Sequence, residues 1–169
     1  LDYPDLTLIF VLIKKTNMTT KQLLDSYAEG KRDFSGFHAT EFRVKGVTIR
    51  DFYAKKISLC GINLSGASLI KAVFYNCNLM DTNFSGCNLT WADFTWANLT
   101  GANLAGANLT GADFSGADLT GANLAGANLI GAQLYRVTLI GVNLTGAILT
   151  GCGLGDENRR IAQKAGAIF

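Results

Sequence analysis

Ala97-Asn98-Leu99-Thr100-Gly101, Ala102-Asn103-Leu104-Ala105-Gly106, Ala107-Asn108-Leu109-Thr110-Gly111 and Ala112-Asp113-Phe114-Ser115-Gly116 follow one another without a break. The five-residue step they set runs from Leu59 to Leu154, where twenty successive fifth positions are all Leu or Phe. Two residues before each lies a small residue, mostly Ala, with Cys77, Thr82, Cys87, Val137 and Val142 among the variants. A period of five fits neither the 3.6-residue face of a helix nor the two-residue alternation of a long strand. The chain must therefore turn at every unit. If the small residue and the Leu point inward while Asn, Thr and Gly point outward, each unit is a short extended piece ending in a corner. Four corners close a square coil of twenty residues, and Phe74, Phe94 and Phe114 recur at that spacing with Phe34 in the same column. The expected fold is an all-β solenoid, a quadrilateral β-helix whose coils stack at about 4.8 Å through backbone hydrogen bonds.

The register continues backwards through Phe37 with Ala39, Phe42 with Val44, Val47 with Ile49, Phe52 with Ala54 and Ile57 with Leu59, with large and small exchanged. Exchanging them keeps the interior volume of each coil nearly constant, as a close-packed core requires. The solenoid is accordingly expected over residues 32–154, about six coils and roughly 30 Å long. No unit carries an insertion, so the surface should lack projecting loops. Solenoid ends need covers. Thr19 and Thr20 can start a capping helix over residues 19–31, with Leu23, Leu24 and Tyr27 on one face and Gly30 as its stop. At the other end, residues 155–169 are expected to form a helical cap, acidic at Asp156 and Glu157 and basic later, with Ile161, Ile168 and Phe169 covering the last coil. Residues 1–18 read as an N-terminal extension. Met18 is a natural start, which leaves residues 1–17 vector-derived, mis-assigned or the remnant of a processed leader; the β-branched stretch 6–13 can add a strand near the cap.

Units such as 97–101 and 112–116 resemble those of the pentapeptide-repeat proteins, abundant in cyanobacteria. Leu23-Leu24-Asp25-Ser26-Tyr27 followed by Arg32-Asp33-Phe34-Ser35-Gly36 is similar to the openings of cyanobacterial members. The resemblance covers about three quarters of the chain and implies a right-handed quadrilateral β-helix. It implies no single function, since fold does not determine function. One branch of the family protects or inhibits DNA gyrase with a rod that imitates the width and charge of duplex DNA. Residues 57–154 hold Asp81, Asp93, Asp113 and Asp118 against Lys71 and Arg136, which is four minus two, or −2. DNA carries about one charge per 1.7 Å, so this rod is a weak imitation and a topoisomerase is the second-ranked partner.

Composition narrows the classes further. The 169 residues carry 15 Lys plus Arg and 13 Asp plus Glu, a formal charge of +2, with 49% hydrophobic and 17% charged residues. Near balance gives no electrostatic footprint for nucleic acid, and the apolar content excludes wholesale disorder. The longest apolar run, Leu6 to Ile13, is far short of the twenty or so residues of a membrane span, and no membrane association is expected. Cys60, Cys77, Cys87 and Cys152 show no CxxC pairing and His38 stands far from them, so no metal, cofactor or disulfide is expected. Three of these cysteines take the place of the inward Ala, which fits small buried hydrophobes with thiols reduced in a cytoplasm.

An interior of Leu, Phe and Ala leaves chemistry only to the outside. Asn63, Asn83, Asn103, Asn123 and Asn143 form one ladder expected to stabilise the rod. The fourth face, built on Phe34, Ala54, Phe74, Phe94, Phe114 and Leu134, gathers most departures from the repeat. They are Tyr53, Lys55 and Lys56, then Tyr75 and Asn76, then Asp93 and Trp96, then Asp113, and finally Tyr135 and Arg136, with Trp91 and Lys71 on the adjoining face. Clustered exposed Trp, Tyr and Arg are the residues that anchor protein interfaces. No nucleophile–base or acid–base pair can be picked out, and Asp93 and Asp113 stack one coil apart in open water. The reading is a non-catalytic structural or interaction rod with an unknown protein partner, monomeric or a weak dimer.

Overall fold

The computed structural model describes Asp25, Ser26, residues 28–31 and residues 59–169. The expected strand at 6–13, the coils over residues 32–58 and Thr19, Thr20, Leu23, Leu24 and Tyr27 of the expected N-terminal helix lie outside the described residues. Asp25, Ser26 and Ala28 are helical. The Lys31 amide donates to the Ser26 carbonyl at 3.1 Å beyond Gly30, whose φ is 96°, the closure of a helix end in a left-handed residue.

From Leu59 onward the backbone is a parallel β-helix in which one residue of each unit bridges the residue twenty positions later: Asn63 with Asn83, Val73 with Asp93, Asn78 with Asn98, and so on up the rod. Four faces alternate in chain order. The first is centred on Leu59, Leu79, Leu99, Leu119 and Leu139, the second on Leu64 and Phe84, the third on Leu69 and Leu89, and the fourth on Phe74, Phe94, Phe114 and Leu134.

The five-residue unit is explained by where its five N–H groups go, since a backbone donor left without a partner costs about as much as a lost hydrogen bond. In the unit around Leu64, the Leu64 N–H donates to Asn83 O in the next coil at 2.8 Å, and Gly66 N–H donates to Ser85 O at 2.8 Å. Ala67 N–H closes the corner on Leu64 O at 3.0 Å, and one coil later Asn83 N–H reaches back to Ile62 O at 2.9 Å. The fifth donor, Ser65 N–H, is held by the Asn63 side-chain Oδ1 at 3.0 Å. Asn or Asp before the Leu thus supplies the one acceptor that the backbone lacks, as in an Asx-turn. Gly after Thr or Ser takes the positive φ that a type II corner demands at its third residue.

Inward residues are essentially without solvent. Leu59 through Leu129 and the intervening Ala residues form one continuous core. Phe74, Phe94 and Phe114 stack face to face up the fourth column at 5.0 and 4.9 Å between centroids, and Phe84 meets Phe74 and Phe94 edge-on from the opposite wall. Each such aromatic pair adds about 0.5–1.5 kcal/mol beyond burial. Thr82, Cys87 and Cys152 occupy Ala positions and use their side chains identically. Thr82 Oγ1 donates to Leu59 O, Cys87 Sγ to Leu64 O and Cys152 Sγ to Leu129 O, in every case twenty-three residues back. Burial pushes the Cys87 thiol up to about 12 and raises that of Cys152 as well. Both are therefore protonated, unreactive core groups at neutral pH.

Helix α1, Asp156–Lys164, covers the last coil, with Asp156 and Glu157 in its first turn and Lys164 in its last, the order the helix dipole favours. Its Ala162 is fully buried and its Ile161 packs against the core. Asn158 Nδ2 ties the helix to Val137 O at 2.8 Å. Ile168 and Phe169, expected to cover the coil, instead extend it. After α1 the chain rejoins the ladder, Ile168 bridging Ile148 and exchanging hydrogen bonds with Ala147 and Leu149. Ile168 stays 55% exposed as a result, and Arg159 lies 4.6 Å over the Phe169 ring.

Candidate interaction face

The corner residue of each unit adopts the left-handed conformation, and Gly fills it almost throughout. Six described corners are not Gly: Lys71, Asn76, Asp81, Trp91, Trp96 and Arg136, with φ between 53° and 60°. A side chain in that conformation costs about 1–2 kcal/mol. Five of the six stand on the two edges of the fourth face, Lys71 and Trp91 on the edge shared with the third face, Asn76, Trp96 and Arg136 on the edge shared with the first. Trp91 thus bounds the fourth face as well as the adjoining one.

A left-handed corner aims its side chain along the rod towards the corner one coil later. The indole of Trp91 lies against Gly111 and that of Trp96 against Gly116, so closely that a Cβ on either glycine would stand 2.5 Å from ring atoms Cε3. Each ring is therefore seated flat on a glycine, with Trp91 61% and Trp96 54% exposed. Between the two seats runs Ala112-Asp113-Phe114-Ser115, and below it Ala92-Asp93-Phe94-Thr95. Asp93 and Asp113 are bridged neighbours. One oxygen of each caps a backbone amide, that of Thr95 at 2.9 Å and that of Ser115 at 2.8 Å.

Tyr75 stands half-buried one coil before Thr95, the neighbour of Trp96, and two coils after Thr95 Tyr135 is 62% exposed with the Arg136 guanidinium 5.1 Å over its ring. The structure thus places Tyr75, Trp91, Asp93, Trp96, Tyr135 and Arg136 along one face and its two edges. Tyr53, Lys55 and Lys56 lie outside the described residues. Sequence reasoning did not single out Gly111 and Gly116 as ring seats, although their offset of twenty from the tryptophans was available. Nor did it single out the outward Ile70, Ile130 and Ile140, each more than 40% exposed. On the second face the Asn ladder is formed, Asn103 Nδ2 donating to Asn83 Oδ1, Asn123 to Asn103 and Asn143 to Asn123 at 3.3, 3.2 and 3.1 Å. Among the described residues no group of three or more His, Cys, Asp or Glu is arranged to hold a metal ion, and no helix is long and apolar enough to cross a membrane.

The model of the pentapeptide repeats matches residues 56–86, 87–124 and 117–154 in eight copies, and the chain belongs to that family, whose members form right-handed quadrilateral β-helices. A pentapeptide repeat protein from the Arabidopsis thaliana thylakoid lumen is similar in structure, with 42% identity over 63% of this chain and 74% of that one and a TM-score of 0.61. Another, from the cyanobacterium Cyanothece 51142, shares the fold at 23% identity, covering 75% of this chain and 93% of its own, with a TM-score of 0.62. No curated protein sequence matches the chain.

Proposed function

We propose that this protein is a non-catalytic rod that binds a protein partner through its fourth face, in a solenoid whose register continues back to about residue 32 and so comprises about six coils. Pentapeptide-repeat proteins are generally non-enzymatic scaffolds, and the described core of this one is built mostly of Leu, Phe and Ala. The observation that carries the reading is the placement of the chain's two tryptophans. Both occupy strained corners on the two edges of a single face, both are seated on glycine, and both keep one ring surface open to solvent. Rigid, exposed Trp and Tyr are the side chains that supply most binding energy at protein interfaces, because they bury large area with little rotamer entropy lost.

Affinity capture from the native host, comparing the wild type with a variant carrying Trp91→Ser, Trp96→Ser and Tyr75→Ser, tests this directly. The variant should keep its circular dichroism, since none of the three side chains is in the core, and should lose the captured partner. An unchanged set of captured proteins contradicts the reading. The gyrase-directed alternative has no comparable support, because the described rod carries four acids against two bases. No effect on gyrase supercoiling is expected.

A further inference from the structure

We infer that the strip between Trp91 and Trp96 recognises an arginine-bearing segment of the partner, with the guanidinium stacked on an open indole face and paired to the carboxylate of Asp113 or Asp93. This rests on the reading of the fourth face as a protein-binding surface and adds the chemistry of what it binds.

Three observations converge on a planar cation. The first is the shape of the strip. Gly111 and Gly116 mark the two ends of one unit, and the extended piece between them spans roughly 10 Å. An indole rests on each end and Asp113 lies in the middle. An arginine side chain lying across this unit reaches a ring and a carboxylate at once. The second is charge. Asp93 and Asp113 sit on neighbouring rungs, about 4.8 Å apart, and neither is in an ion pair among the described residues. Trp96 also has Asp118 two residues beyond its seat. The nearest described bases on this face and its edges are Lys71, a coil before Trp91, and Arg136, a coil beyond Gly116 and engaged with Tyr135. The strip is thus a local anionic site between two positive ends, which sets the register of a basic partner. The third is the state of the rings. Packing on glycine leaves one face of each indole open and immobilised, the condition under which a cation over the ring gains most. Guanidinium is favoured over ammonium because it can stack flat on the ring and fork to a carboxylate together.

The chain has two Trp, and both are here, so tryptophan emission reports on this strip and nothing else. Titration of the full chain with a tetra-arginine peptide should give a saturable change in emission. Tetra-lysine should bind more weakly, and added salt should weaken both. Asp113→Asn and Asp93→Asn should each weaken the arginine peptide by about tenfold, the loss expected for a charged hydrogen bond. Trp96→Gly and Trp91→Gly restore the residue that the corner conformation prefers, so both variants should fold, and each should report from the remaining ring. The inference is overturned by the absence of a saturable response at millimolar arginine peptide. It is also overturned by equal affinity for the lysine peptide, by indifference to both Asp substitutions, or by a response to cellohexaose in place of the peptide, which would make the rings a sugar platform. If the peptide fails while capture of a protein partner still depends on Trp91 and Trp96, the proposed function stands and only the arginine assignment falls.

Discussion

Gly111 and Gly121 have nearly the same backbone, φ 67° and 66°, but differ in what stands beside them. A Cβ on Gly121 meets nothing within 4 Å, whereas one on Gly111 overlaps the Trp91 ring. Gly121→Ala should therefore cost only the strain of an L-residue in the left-handed region, about 1–2 kcal/mol. Gly111→Ala should cost at least ~1 kcal/mol more, because the indole must leave its seat. In a Trp91→Gly background the excess should vanish, and a double-mutant cycle by urea unfolding measures it. If the two glycines respond alike in the wild type, the ring is not seated as described. The side-chain roles were unevenly legible in the sequence. Inward Leu and Ala declared themselves through size alone, because burial selects volume at every fifth position. The function of Asn98, Asn108 or Asp113 as the acceptor for the amide two residues on was not legible. It follows from a donor that the coil-to-coil ladder leaves over, and only the backbone path reveals that.

Among the elements, the second face differs from the third in one respect that separates two jobs of the same side chain. Asn103 and Asn108 each hold the amide two residues later, at 3.2 Å in both. Asn103 also donates to Asn83 and accepts from Asn123, while Asn108 instead accepts from the Thr110 hydroxyl. Asp keeps the capping oxygen, as Asp93, Asp113 and Asp118 show, but it cannot donate along the ladder. Asn108→Asp should consequently be nearly neutral in thermal unfolding, and Asn103→Asp destabilising by about 1 kcal/mol. Equal melting temperatures would mean the ladder contributes nothing to stability. At the C-terminal end, the sequence signal for a helix was its acidic start and basic finish. The return of the chain to the ladder at Ile168 has a sequence trace only in Phe169, which falls on the same step of five as Leu154. Helix α1 spends the residues of two faces, so the register is kept while the backbone leaves the coil, and a reading that treats the helix as the end of the repeat misses the rung beyond it.

Across the whole molecule, the repeat removes most possibilities for function. Among the described residues the axis is filled by side chains, the units from Leu59 to Leu154 run without a projecting loop, and the second face of hydrogen-bonded Asn is occupied with itself. What remains is the outer surface, and on it the departures from Gly are concentrated along the edges of the fourth face. The column to which each residue belongs was legible from arithmetic on the sequence. The direction of the tryptophans was not, because a side chain on a left-handed corner points along the rod instead of away from it. The most direct test of the account places a photo-crosslinking residue at Thr95, on the fourth face between Trp91 and Trp96, or at Ala105 on the second face, in the native host. The account predicts a discrete adduct from position 95 and none from position 105; an adduct from 105 with none from 95 would contradict it.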